Sequence, residues 1–169
     1  GMRDIHAIAG GWYPVFVQFE YSGPACQGQV EINNPRQAST WRVPVQLSKL
    51  TRRQVTIYCY QRNNPNSDDK LSIRLMRGDT VLGEQKLQVQ TLGGKHFRIL
   101  LLGHPNLQRF AHPGRLPSRA TVIHHPPDKP LPDRPEGYDA FQLIIACRYP
   151  LQKLTQPRQR ALIQWIQGG

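Results

Sequence analysis

The sequence is short of several things, and each shortage removes a class of protein. No run of roughly 18 apolar residues occurs, so no segment qualifies as a membrane-spanning helix. The N-terminus lacks the basic-then-apolar order of a secretory leader. Cysteine is scarce. Cys26, Cys59 and Cys147 form neither a closed disulfide framework nor the CxxC spacing of a metal knuckle. Cys26 and Cys59 share the β-rich half and would pair only in an oxidising compartment; small buried thiols are the plainer reading. No glycine-rich phosphate loop follows a strand, because Gly93-Gly94 precedes one, and nucleotide binding loses its support.

Acidic residues are also few, 11 against 22 Lys and Arg, which leaves a net charge of +11. Such a balance favours anionic partners: nucleic acid, lipid headgroups or acidic wall polymer. The basic residues are nevertheless dispersed, with Arg52-Arg53 the one adjacent pair. No basic helix or tail stands out, so a solvated surface explains most of the charge and nucleic acid is not an expected partner.

What is present is a run of short β-patterned segments. A chain of 169 residues buries roughly 70% of its unfolded surface, enough for one large core or two small ones. Residues 13–21, 27–32, 40–47, 54–60, 71–76 and 80–89 each alternate or are β-branched, which predicts six strands. Val15, Val17 and Phe19 fall on one side of the first, with Phe16 and Gln18 on the other; Val55, Ile57 and Cys59 repeat the pattern. Ser22-Gly23-Pro24, Asn33-Asn34-Pro35, Asn63-Asn64-Pro65-Asn66 and Gly78-Asp79 supply the turns. Two antiparallel sheets stacked to bury their apolar faces, an immunoglobulin- or fibronectin-like β-sandwich, is the expected fold for residues 1–92.

At Gly93 the texture changes. Phe97-Arg98-Ile99-Leu100-Leu101-Leu102-Gly103 and Phe141-Gln142-Leu143-Ile144-Ile145-Ala146-Cys147 are nearly continuous apolar runs, which predicts strands covered on both faces, with a shorter strand at 120–124 between them. The intervening segments are long enough for parallel crossovers, though their prolines leave room for one short helix and otherwise for extended coil. Thr155 and Pro157 open a helix whose Ala161, Leu162, Trp165 and Ile166 share a side, and Gly168 ends it. The expectation for residues 93–169 is a partial α/β unit with a short parallel sheet. Such a sheet is incomplete, so truncation, the sandwich or a second copy of the chain is expected to cover it. Gly1 ahead of Met2 reads as a tag scar, and the native protein is expected to extend at either end.

The segment Leu131-Pro132-Asp133-Arg134-Pro135-Glu136-Gly137-Tyr138-Asp139, the apolar strand after it, and the run from Leu154 to Trp165-Ile166-Gln167-Gly168-Gly169 resemble uncharacterised bacterial envelope proteins. Those proteins carry an Ig-like sandwich followed by a class I glutamine amidotransferase-like, flavodoxin-like domain. The start Gly11-Trp12-Tyr13-Pro14-Val15 and the strand around Gly28 are similar to that sandwich. The resemblance implies an extracytoplasmic module on the periplasmic side of the envelope, part of a larger membrane-anchored protein. It does not carry catalysis over: Cys147 is followed by Arg148-Tyr149-Pro150 with no flanking glycines, unlike a nucleophile elbow.

The sharpest chemical constellation follows from the rule that open α/β sheets bind ligands beyond the carboxyl ends of their strands. His104, His124, His125 and Cys147 fall there, and imidazole and thiolate are zinc ligands. Their spacing matches no metal motif, and neighbouring histidines in a strand point to opposite faces, so no metal, cofactor or catalytic residue is assigned. His112 lies in a Pro-Gly loop with no better case. Arg77-Gly78-Asp79 spells an adhesion tripeptide but is also what a tight hairpin requires. Trp12, Trp41 and Trp165 would form a platform for sugar or polymer if exposed, with Trp165 the one expected in a core. The expected function is a non-catalytic binding or scaffolding module that contacts protein, anionic polymer or membrane surface. The alternative is a hydrolase- or amidotransferase-like or metal-binding site near His104, His124 and Cys147.

Overall fold

A computed structural model describes residues 5–8, 10–62, 68–92, 97–103, 120–125, 130–147 and 149–168. The chain divides into two compact units, Gly1–Leu92 and Gly93–Gly169.

Among the described residues the first unit holds seven strands: β1 (Ile5–Ile8), β2 (Gly11–Tyr21), β3 (Cys26–Asn34), β4 (Ser39–Leu47), β5 (Thr51–Gln61), β6 (Asp68–Arg77) and β7 (Thr80–Leu92). The six strands read from alternation all form. Each runs past its predicted limits, because ladder hydrogen bonds continue where the apolar pattern has stopped. β1 is new: four residues are too few to show a period, and it is held by parallel pairing with β7, from Ile5 opposite Val89 to Ile8 opposite Leu92. The strands form a five-stranded sheet in the order β1-β7-β6-β3-β4 and a two-stranded antiparallel sheet β2-β5.

Both sheets feed one core. Val30 and Ile32 of β3, Val45 and Leu47 of β4, Leu71 of β6 and Val89 of β7 pack in the same buried cluster as Tyr13 and Val15 of β2 and Ile57 and Cys59 of β5. Trp41 packs partly buried against it and offers no platform. The Gly78-Asp79 tip joins β6 to β7 with Arg77 opposite Thr80. Gly78 there has φ +55°, which the primed turns of two-residue hairpins require.

The second unit contains β8 (Phe97–Gly103), β9 (Ala120–His125), β10 (Leu143–Cys147) and α1 (Gln156–Gly168). The three strands are parallel in the order β10-β8-β9. Central β8 is buried continuously from Arg98 to Gly103, as its apolar run predicts. β10 differs from expectation. Leu143 and Ala146 are exposed, because this strand lies at an edge of the three-stranded sheet. Gln142 extends its pairing: the side-chain oxygen accepts from the Arg98 amide at 2.7 Å, and its own N–H donates to the Arg98 carbonyl at 3.0 Å.

Leu100 and Leu102 of β8 pack with Leu131, Tyr138 and α1 residues Ala161 and Leu162. Trp165 joins them, its ring 6.2 Å from that of Tyr138. Ile166 does not. It is 63% exposed, at the margin of the buried stripe in the last helical turn. The coil expected before β10 contains a 3₁₀ turn over Pro135–Tyr138, and the buried Tyr138 hydroxyl donates to the Pro132 carbonyl at 3.1 Å.

Candidate functional site

Of the strand-end constellation, His124, His125 and Cys147 fall at the carboxyl ends of β9 and β10. His104 and His112 lie outside the described residues. His124 stands opposite Leu101 and His125 opposite Leu102, so the two histidines take opposite faces of the sheet. Cys147 stands opposite Gly103 and shares a face with His124, but β8 runs between them. Two inter-strand spacings put their backbones roughly 10 Å apart. The His124 ring already has a partner, with Nε2 2.9 Å from the Gly103 carbonyl oxygen. Among the described residues no group of three or more His, Cys, Asp or Glu is placed to hold a metal ion.

A different surface does come together, on the outward side of β2 and β5. The strands pair in register from Gly11 opposite Gln61 to Tyr21 opposite Thr51. Alternation sends Tyr13, Val15, Ile57 and Cys59 into the core, so Trp12, Pro14, Phe16, Gln18 and Glu20 must face out beside Tyr60, Tyr58, Thr56, Gln54 and Arg52. The face is therefore a ladder of pairs, three carrying an aromatic ring and two polar. Trp12, Phe16 and Tyr60 each keep 38% of their surface exposed. Trp12 meets Tyr60 edge to face, with centroids 5.3 Å apart and planes at 62°. Trp12 is thus the exposed tryptophan that a platform needs, while Trp41 and Trp165 belong to cores. Phe16 shares the outward side of its strand with Gln18 by alternation, but that Tyr60 and Tyr58 stand beside this face is not written in either strand alone, because it depends on cross-strand register.

A buried polar network is the other feature that escaped notice. Asp69 at the start of β6 is only 2% exposed. Its Oδ2 accepts from Asn34 Nδ2 at 3.0 Å, Gln37 Nε2 at 2.8 Å and Gln61 Nε2 at 3.0 Å. Gln37 Oε1 in turn accepts from the Arg62 amide at 3.3 Å. One carboxylate thereby ties the β3–β4 turn to the end of β5. Burial works to raise the Asp69 pKa, but the hydrogen bonds from Asn34, Gln61 and Gln37 and the charge of Arg36 outweigh it and hold it below the usual carboxylate range. The only sequence signal was polar residues where β-strands begin and end, which turns equally demand.

All three cysteines are free thiols, so Cys26 and Cys59 are not joined. Cys26 Sγ lies 3.6 Å from the Tyr21 hydroxyl. Burial pushes the Cys59 thiol far up, and only a thiolate reacts readily with alkylating agents. Native protein treated with iodoacetamide at pH 8 is expected to leave Cys59 unmodified until denaturant is added. Peptide mass mapping that finds Cys59 alkylated as fast as the half-exposed Cys26 would contradict this placement.

The model of a family described as a domain of unknown function, DUF8726, matches residues 4–90, more than half of the chain. The chain belongs to the DUF8726 family. The matched stretch takes in β1 to β6 and nearly all of β7, so both the aromatic ladder and the Asp69 network lie within the DUF8726 region. No curated protein matches the chain.

Proposed function

We propose that this DUF8726 chain is a non-catalytic binding module of a bacterial cell-envelope protein, and that it makes contact through the outward face of β2 and β5. The observation that carries the reading is the exposed Trp12-Tyr60-Phe16 strip. Rigid aromatic side chains lose little conformational entropy on binding and present large apolar area, which is why they dominate recognition surfaces.

The strand orders support the finer architecture. A sheet β7-β6-β3-β4 across a shared core from β2-β5 follows the G-F-C-C′ and B-E arrangement of an Ig-like sandwich. In the second unit, first, second and third strands lie in the order second-first-third, as in flavodoxin-like sheets and unlike the Rossmann order. That order is the one the resemblance to a flavodoxin-like, amidotransferase-like domain implies; the extracytoplasmic setting rests on the resemblance alone. The hydrolase-like alternative would require His124 and Cys147 to reach one another across β8.

The test is co-sedimentation of the full chain with washed bacterial envelope fragments. The chain is expected to sediment, and the double variant Trp12→Ala with Tyr60→Ala to remain in the supernatant. Losing an exposed cross-strand aromatic pair costs about 0.5–1.5 kcal/mol of stability, so the variant should stay folded, as its circular dichroism will show. Equal sedimentation of variant and wild type would remove the proposed face.

A further inference from the structure

We infer that the strip on β2 and β5 takes an extended, uncharged polysaccharide; this rests on the binding reading above and names its ligand class. The C–H face of a pyranose ring is apolar and stacks on aromatic rings, while its rim of hydroxyls seeks groups that both donate and accept. The strip offers these in series. Trp12 with Tyr60, Pro14 with Tyr58, and Phe16 with Thr56 make three consecutive pairs bearing aromatic rings. Exposed Gln18 opposite Gln54 follows directly, and a carboxamide has both donors and an acceptor. With its oxygen turned toward Arg52, Gln18 accepts from Nε at 3.0 Å and Nη2 at 3.2 Å, which leaves its NH₂ to donate elsewhere.

Length argues for a polymer. From Trp12 to Phe16 the strand advances roughly 13 Å, and Gln18 adds roughly 7 Å more, too long for one sugar ring and suited to several in a row.

Charge argues against a polyanion. The chain carries +11 in all, but the aromatic pairs themselves contain no cation. At the far end of the ladder Arg52 is paired with Glu20 at 3.2 Å, so that step is neutral. Arg62 follows directly after the end of β5, outside the paired ladder. A single-stranded nucleic acid needs cations that track its phosphates as well as rings for its bases, and an acidic polymer or lipid surface needs them likewise. Complementarity therefore selects a ligand without charge.

The test is affinity electrophoresis of the full chain through gels containing hydroxyethylcellulose or a linear β-mannan, with alginate and a single-stranded oligonucleotide as charged probes. At least one neutral polymer is expected to retard the chain. Because no ion pair is formed, the retardation should persist from low to 0.5 M salt. Trp12→Ala with Tyr60→Ala should weaken it about tenfold or more, the scale of lost ring contacts, and Trp12→Tyr should restore part of it. Retardation by alginate or oligonucleotide alone, fading with salt, would overturn the ligand class and point to a polyanion. So would no retardation by either neutral polymer while sedimentation with envelope fragments still depends on Trp12 and Tyr60; the face would then stand and its ligand would not. Neutral-polymer binding that survives the double variant would overturn both.

Discussion

Replacing Asp69 by alanine is expected to destabilise the first unit by about 3–5 kcal/mol, because three buried amide donors lose their common acceptor at once. Asn34, Gln37 and Gln61 all donate to Oδ2, and all three are buried, so water does not readily take its place. A typical domain has roughly 5–15 kcal/mol in total, so the variant should unfold at a much lower urea concentration. Arg36→Ala is the control. Its side chain is 64% exposed and its Nη1 is 3.9 Å from Asp69 Oδ1, so its loss should cost no more than about 1 kcal/mol. The same carboxylate sets an acid limit. Its folded pKa lies below the unfolded value of about 3.9, so its contribution is whole above that pH and is lost as pH falls through the folded value. Asp69→Asn should flatten this limb of the stability profile. Urea midpoints for Asp69→Ala within a few tenths of a molar of wild type would show that the network is not holding the turn to β5.

The second large effect is expected at Gly103, where β8 ends. Its φ is +116°, a conformation open to glycine and strained for any L side chain. A Cβ there would also run into the backbone carbonyl of Cys147 on β10. Gly103→Ala should therefore cost about 3 kcal/mol or more, combining backbone strain with displacement of the neighbouring strand. The damage should be confined to the second unit. Hydrogen exchange on the intact chain is the suitable measurement: amides of β8 and β10 should lose protection while those of β3 and β6 keep theirs. Equal loss in both units would mean that they unfold as one, against their division at Leu92 and Gly93.

The elements differ in how far the sequence revealed them. β2 and β5 were legible because residues 13–21 and 54–60 alternate, and a period of two assigns every side chain to a face. β1 was invisible, since four residues held by parallel pairing to β7 carry no period. The runs at β8 and β10 look alike, yet only β8 is covered throughout. Apolar character reports what a strand tolerates; its neighbours decide what it receives. The same limit applies to α1, where Ile166 shares the helical spacing of Leu162 and Trp165 but falls at the margin of the packed stripe.

The candidate site shows the contrast most sharply. Trp12 was noted as a platform residue, but alternation within β2 could not say that Tyr60 lies opposite it or that Tyr58 comes next. The end-of-strand rule places His124 and Cys147 at one edge of the sheet, but that β8 lies between their strands is written in neither strand. Asn34, Gln37, Gln61 and Asp69 are separated by up to 35 positions and meet at one oxygen atom.

Composition and local period alone determined the absence of an apolar run long enough to cross a membrane as a helix, the six alternating strands, the change of texture at Gly93 and the final helix, because each of these is a property of neighbouring residues. The pairing of β2 with β5, the parallel seat of β1, the order β10-β8-β9 and the convergence on Asp69 were decided only in three dimensions. They depend on which distant segments bury one another's apolar faces, and many pairings of the same strands satisfy the local pattern equally well.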